Sequence, residues 1–288
     1  MRTRLQGRTT RGDKSARAMG EEMRINTRLT VACLSACLAT SFAHADLVAS
    51  WGFQGSLASD FGGGPALTAL NPLGTNSYTN TTLYNHSRQV YNMLGSEGSG
   101  NNAGLQVAPG FLSNNSSYSL EVLFSQTNAP NTNGYRKIYD NSGRTLDEGL
   151  YVTPASQMYY YSDGGTPTAP IAANTFYNVI LTYNGSTHAG NVYVNGALDS
   201  SFTGVDPAIS NNSVLLSFFV DDGVTGYGEF SDASVGLLRM WNTELNAGDV
   251  AVIETNPFTP APEPASMAAL GLGVAALVAR RRRSAFKP

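Results

Sequence analysis

Alternation of apolar and polar residues predicts short β-strands along most of the chain. Tyr118, Leu120, Val122 and Phe124 fall on one face of a run at 118–124, because successive strand side chains point to opposite faces. Similar runs, separated by Gly, Asn and Asp, recur at intervals of roughly ten residues. They cover 47–53, 104–107, 135–139, 150–152, 157–161, 176–183, 191–194, 213–220 and 234–241.

This spacing predicts an all-β fold, an antiparallel two-sheet β-sandwich spanning residues 46–258. One short helix is predicted over 245–253, with Asn246 as its N-cap. Residues 71–86 are rich in Asn, Thr and Tyr, and we expect them to form a long surface loop. Both cysteines, Cys33 and Cys37, precede this domain, so its stability must come from its core rather than from disulfides.

The charge of the domain limits its partners. Residues 46–264 hold five basic and 18 acidic residues, a formal net charge of −13, although the whole chain carries only −3. Nucleic-acid binding calls for a positive surface, so no nucleic-acid partner is expected. The composition is compatible with cations or with neutral glycans as ligands.

The N-terminal segment has the order of a secretion signal. Basic residues at 24 and 28 precede an apolar stretch at 29–42, and small residues flank His44 at a cleavage site. We predict a signal peptide at 23–45, cleaved after Ala45. Residues 1–22 then form a mis-annotated leader, with Met23 as the start.

The C-terminal segment has three parts: a Pro-Glu-Pro, an uncharged apolar helix at 265–279 and an arginine cluster. This order resembles the PEP-CTERM sorting signal, over residues 259–288. The resemblance implies passage through the secretion machinery, transient membrane insertion of the helix, and processing by an exosortase. The arginines would keep the end of the helix in the cytoplasm. The residues concerned are Pro262, Glu263 and Pro264 for processing, and Arg280, Arg281, Arg282 and Arg283 for the membrane stop. An ordinary tail-anchoring helix is the alternative.

Three segments resemble laminin-G-like domains. Residues 176–201 contain two strands and an Asn195-Gly196 hairpin turn, similar to the family's "T-Y-D-G … L-Y-V-N-G" pattern. Residues 117–125 are similar to an early strand of that family, and residues 232–250 to its closing strand, with Arg239 and Trp241 in order. The resemblance implies a concanavalin A-like jelly roll.

Catalytic groups are not evident, and we expect no catalytic residue. A sandwich glycosidase needs two carboxylates flanking the scissile bond, but the strand of Glu121 continues without a second acid. Asp147 and Glu148 are adjacent, so a strand would turn them to opposite faces. A divergent glycan hydrolase or lyase remains the alternative.

Acidic loops make a calcium site a second hypothesis, because calcium prefers six to eight oxygen ligands. The spacing of Asp221, Asp222 and Glu229 resembles the calcium loop of pentraxins, which share the sandwich. Asp140 and Asp147 fall where that pattern supplies its other ligands, and Asp60 lies in an early turn. Solvated turn acids are the alternative interpretation.

A run of tyrosines, Tyr159, Tyr160 and Tyr161, could stack on sugars, since tyrosine combines an apolar face with a polar tip. Half-buried strand tyrosines are the alternative. Together these patterns predict a cell-surface or matrix protein that binds carbohydrate, such as extracellular polysaccharide, or another matrix component. A purely structural matrix protein without a specific ligand is the other hypothesis.

Overall fold

The computed structural model describes residues 47–112, 117–127, 134–161, 165–203, 209 and 214–258. The predicted leader at 1–22, the signal peptide with its cleavage after Ala45, and the sorting segment at 259–288 lie outside these residues. Within the described ranges, no helix is long and apolar enough to cross a membrane.

Strands account for nearly all of the regular secondary structure in the described chain. They are β1 (Leu47–Trp51), β2 (Thr68–Leu70), β3 (Ser77–Leu83), β4 (His86–Met93), β5 (Gly104–Val107), β6 (Tyr118–Gln126), β7 (Arg136–Asp140), β8 (Gly149–Val152), β9 (Met158–Tyr161), β10 (Tyr177–Asn184), β11 (Ala189–Val194), β12 (Ala197–Thr203), β13 (Leu216–Phe218) and β14 (Ala233–Trp241).

These strands form two antiparallel sheets packed as a sandwich, which confirms the predicted fold. The larger sheet runs β12-β11-β10-β6-β14-β4-β3, and β1 also pairs with β14. The smaller sheet runs β2-β5-β13-β7-β8-β9. Sequential neighbours such as β7, β8 and β9 form meanders, whereas β6 lies between β10 and β14, which are distant in sequence.

The main core lies between the sheets and follows the alternation seen in the sequence. Leu120, Val122 and Phe124 of β6 point into it, together with Leu238 and Met240 of β14. The intervening Leu123 packs in a small cluster on the other side of the large sheet. Strand β6 is therefore buried on both faces, as expected for a central strand covered on each side.

Helix α1 (Ala247–Thr255) confirms the predicted helix. Asn246 accepts hydrogen bonds from the backbone N–H groups of Gly248 and Asp249, and the Asp249 side chain accepts from the backbone of Asn246. This capping box satisfies N–H groups that the first turn leaves open. Val250 and Ile253 pack onto Trp241, so α1 covers part of the outer face of the larger sheet.

The predicted loop at 71–86 was wrong over half of its length. Residues 77–83 form β3, which pairs with β4 as a hairpin. Tyr84 and Asn85 make the turn, with φ angles of 48° and 64°, the left-handed values that such two-residue turns require. The strand was missed because β3 is an edge strand with mostly exposed or half-buried polar residues.

Candidate functional site

A cluster of tyrosines lies on the outer face of the smaller sheet. The strand register places Tyr151 opposite both Tyr159 and Lys137. Alternate residues of the same strands, including Leu150, Met158 and Tyr160, point the other way into the core. We call the outward cluster the tyrosine surface; it consists of Tyr135, Tyr151, Tyr159 and Tyr161.

The rings of the tyrosine surface support one another. Tyr135 meets Tyr151 and Tyr161 edge to face, with ring centroids 5.9 Å apart in both pairs. Tyr161 also packs against Tyr151 at 6.0 Å and against Tyr159 at 6.2 Å. These are favourable aromatic geometries. Tyr151 is buried beneath the other three, which are half-buried, so three ring surfaces are held ready for contact with solvent or ligand.

The structure corrects the predicted role of Tyr160. Its side chain is fully buried and stacks on Phe202 in the core, with centroids 4.7 Å apart. Tyr160 therefore cannot touch a ligand, because the period of two along β9 sends it opposite to Tyr159 and Tyr161. Sequence reasoning also missed Tyr135 and Tyr151, which join the cluster only through strand pairing.

Carboxylates border the tyrosine surface. Asp147 accepts a hydrogen bond from the Tyr151 hydroxyl at 2.8 Å. Burial, followed by the nearby charges of Asp221, Asp147 and Asp222, raises the pKa of Glu229 to about 7. Burial, together with the neighbouring Tyr159, also raises the pKa of Tyr135. The rim thus offers hydrogen-bond acceptors beside neutral phenol groups.

A buried lysine lies beneath Tyr151. The Lys137 Nζ donates to Asp140 Oδ2 at 2.8 Å and to Asp222 Oδ2 at 2.5 Å, and all three side chains are fully buried. The same nitrogen lies 5.0 Å from the centroid of the Tyr151 ring. We call Lys137, Asp140 and Asp222 the lysine triad. Its ammonium neutralises buried carboxylates and supports the base of the tyrosine surface.

Two of the predicted calcium ligands, Asp140 and Asp222, lie close together, but they surround the Lys137 ammonium. Asp221 accepts from Thr225 Oγ1 at 2.9 Å and from the Glu229 backbone N–H at 2.8 Å, while Asp147 is engaged by Tyr151. Among the described residues, no group of three or more His, Cys, Asp or Glu side chains is arranged to hold a metal ion. The carboxylates fit Lys137 better than calcium, since the ammonium already holds the oxygens of Asp140 and Asp222.

The melting temperature tests whether the acidic loops bind calcium beside Lys137. Because Lys137 already supplies a positive charge, we expect equal melting temperatures with calcium and with chelator. A ligand that binds only the native state raises stability with its concentration. A rise in melting temperature with calcium would show that the acidic loops take up the metal despite Lys137.

Two family models match the chain. The model described as "Concanavalin A-like lectin/glucanases superfamily" matches residues 99–251, just over half of the sequence. The model of the PEP-CTERM protein-sorting motif matches residues 260–283. The resemblances to laminin-G-like domains and to the PEP-CTERM sorting signal are thereby confirmed. A comparison with curated proteins finds no match.

Solved structures share the fold at low sequence identity. Domain 4 of AbnA, a GH43 extracellular arabinanase from Geobacillus stearothermophilus in complex with arabinotriose, has a TM-score of 0.56 and 16% identity, covering 73% of this chain and 98% of that one. The binding domain of Paraclostridial Mosquitocidal Protein 1 has a TM-score of 0.51 and 12% identity, covering 74% and 53%. A botulinum neurotoxin serotype D/C binding domain has a TM-score of 0.51 and 14% identity, covering 73% and 51%. This chain spans about half the length of the two toxin binding domains.

Proposed function

Because the chain belongs to the concanavalin A-like lectin/glucanases superfamily, we propose that it is an exported, surface-sorted protein whose sandwich binds carbohydrate without cleaving it. The observation that carries this proposal is the tyrosine surface on the outer face of the smaller sheet. A fold of this kind supports many functions, so the chemistry of that surface has to account for the binding.

Tyrosine is suited to this task because each ring adds a large, stiff contact area at little entropic cost. The apolar faces of Tyr135, Tyr159 and Tyr161 can pack against the C–H face of a sugar ring, and their hydroxyls can bond its hydroxyls. Asp147 and Glu229 add acceptors at the rim. A few polar groups placed around an apolar contact area are typical of small-ligand sites.

The charge of the domain narrows the class of glycan. A formal charge of −13 over residues 46–264 repels strongly anionic polymers at low salt. We therefore propose a neutral polysaccharide, for which the producing cell's own extracellular polysaccharide is the first probe. Arabinotriose is the second, because the arabinanase domain with the same fold was solved with it.

Sorting is the second part of the proposal, and the motif match at 260–283 supports it. We propose that an exosortase cleaves near Pro262, Glu263 and Pro264 after the helix at 265–279 has transiently entered the membrane. Arg280, Arg281, Arg282 and Arg283 would hold the end of that helix on the cytoplasmic side. The mature protein would then stay at the cell surface or in the extracellular matrix.

Mass spectrometry of the mature protein tests the sorting proposal. We expect the mature protein to begin at Asp46, directly after Ala45. We also expect peptides from residues 265–288 to be missing. The unprocessed chain should accumulate in the membrane of a strain without its exosortase. Finding the intact 265–288 segment on the surface protein of a normal strain would instead indicate a permanent tail anchor.

Direct binding tests the carbohydrate proposal. The purified full chain should bind short oligosaccharides from the producing cell's extracellular polysaccharide, measured by titration calorimetry, and should release no new reducing ends from them. Failure to bind either this material or arabinotriose would favour a structural matrix protein. Release of reducing ends would point to a divergent hydrolase.

A further inference from the structure

A cavity opens on the opposite side of the sandwich, on the outer face of the larger sheet. Strand β14 pairs with β4 through residues 233–235 and with β1 through residues 238–241. Where its partner changes, a gap of about 300 Å³ remains. Its lining residues include Ser50, Asp60, Phe61, Arg88, Arg239 and Phe258. We call this gap the switch-point pocket.

Arg88 is the under-used group in this pocket. Its guanidinium lies 4.3 Å from the ring centroid of Phe258. Its one hydrogen bond to a described residue, the Gly52 carbonyl, is long at 3.5 Å. Its Nε is buried and has no hydrogen-bond partner in the described part of the chain. Burial lowers the pKa of Arg88, only partly opposed by Asp60. Buried donors without acceptors are uncommon in native proteins, because leaving them unsatisfied is costly.

The charges around Arg88 nearly cancel. Arg239 pairs with the buried Glu121 at 3.4 Å, and burial raises the pKa of Glu121 to about 7 although Arg239 opposes this. Asp60 is exposed, and its Oδ2 accepts the Gly52 N–H at 2.6 Å. Two guanidinium groups and two carboxyl groups thus lie in or beside the pocket, and their charges largely offset one another. A ligand that both accepts and donates hydrogen bonds suits it better than an ion does.

A sugar has these properties. One hydroxyl can accept from Arg88, and another can donate to Asp60, as the inventory of side-chain donors and acceptors allows. Phe61 is half-buried and offers apolar ring surface to the C–H surface of a sugar, while Phe258 holds the Arg88 guanidinium in place beside it. The pocket volume lies at the lower end of the range for small-molecule sites, roughly 300–1,000 Å³.

We propose that the switch-point pocket is a second saccharide site, which makes the domain a bivalent cross-linker of polysaccharide chains. This inference rests on the proposed function, that the domain binds carbohydrate through the tyrosine surface. Leu237 and Arg239 point outward from the larger sheet, because Leu238 and Met240 point into the core. The two sites therefore face away from each other and can hold different chains.

Titration calorimetry of the full chain with short oligosaccharides from the producing cell's polysaccharide tests the proposal. We expect two equivalents bound. Arg88→Met should remove one of them, lowering affinity at this pocket by at least about tenfold. Asp60→Asn should also weaken that site, while its amide oxygen can still accept the Gly52 hydrogen bond. This variant tests the pocket if Arg88→Met fails to fold. Tyr159→Ala should remove the other equivalent and leave the pocket unaffected.

Gelation supplies a second readout, since a chain with two separate saccharide sites can link polysaccharide chains, whereas a monomer with one site cannot. The original chain should raise the viscosity of the polymer, and Arg88→Met should not. If both pocket variants still bind two equivalents, the second site is overturned and the proposed function stands. The same holds if the original chain binds one equivalent and only Tyr159→Ala removes it. If the original chain binds one equivalent and only the pocket variants remove it, both binding at the tyrosine surface and bivalency are overturned. Absence of binding would contradict both proposals.

Discussion

Replacing Lys137 by methionine is expected to lower the free energy of unfolding by about 3–5 kcal/mol, because removing one partner leaves buried charges uncompensated. Asp140 and Asp222 are fully buried and converge on the Lys137 Nζ. Methionine has a similar length but no charge, so packing changes little while neutralisation is lost. The denaturant midpoint at constant m-value measures the effect.

The matched control replaces the whole lysine triad. Lys137→Met combined with Asp140→Asn and Asp222→Asn removes the positive charge and both negative charges, so it should recover much of the lost stability. Residues in one network are not additive, and the triple variant measures their coupling directly. A loss below about 1 kcal/mol for Lys137→Met, the usual value for an exposed ion pair, would contradict the neutralising role of the ammonium.

Loss of the tyrosine surface should have the largest effect on binding. Changing Tyr159 and Tyr161 together to alanine removes two of its half-buried rings, which lie side by side on β9. Central aromatic residues of an interface each contribute about 2 kcal/mol or more. Because such contributions are not additive, we expect affinity for the polysaccharide at this site to fall at least about thirtyfold, the factor that corresponds to about 2 kcal/mol. Titration calorimetry at several temperatures can follow the change.

Tyr78→Ala is the control for this variant. Tyr78 is also half-buried, but it belongs to β3 in the other sheet, where its ring lies 4.9 Å from that of Tyr91. The Tyr78→Ala variant should lose some stability and keep its affinity for the polysaccharide. Equal loss of binding in Tyr78→Ala and in the Tyr159→Ala/Tyr161→Ala variant would indicate a general loss of structure rather than a site on the smaller sheet.

The sequence predicted the sandwich well because its signals are local. The alternation in β6, the turn at Asn195-Gly196 and the cap at Asn246 each act within a few residues, and all appear in the structure. Strand β3 was missed for a local reason as well. Its side chains are mostly polar on both faces, so the apolar alternation that reveals a half-buried strand is absent.

The site was predicted less completely because it depends on contacts between distant segments. Strand β9 supplies Tyr159 and Tyr161, but only its pairing with β8 brings Tyr151 beside them. Lys137 meets Asp222 because β13 pairs with β7, and no spacing in the sequence encodes that contact. The acidic loops therefore pointed to calcium, whereas the structure places an ammonium between two of the predicted ligands.

The most direct test is a nuclear magnetic resonance titration of the full chain with labelled tyrosine rings and oligosaccharides from the producing cell's polysaccharide. Ring signals of Tyr135, Tyr159 and Tyr161 should shift in a saturable way, while those of the buried Tyr139 and Tyr160 stay unchanged. Saturable binding without shifts in the three outward rings would place the carbohydrate elsewhere and contradict binding at the tyrosine surface.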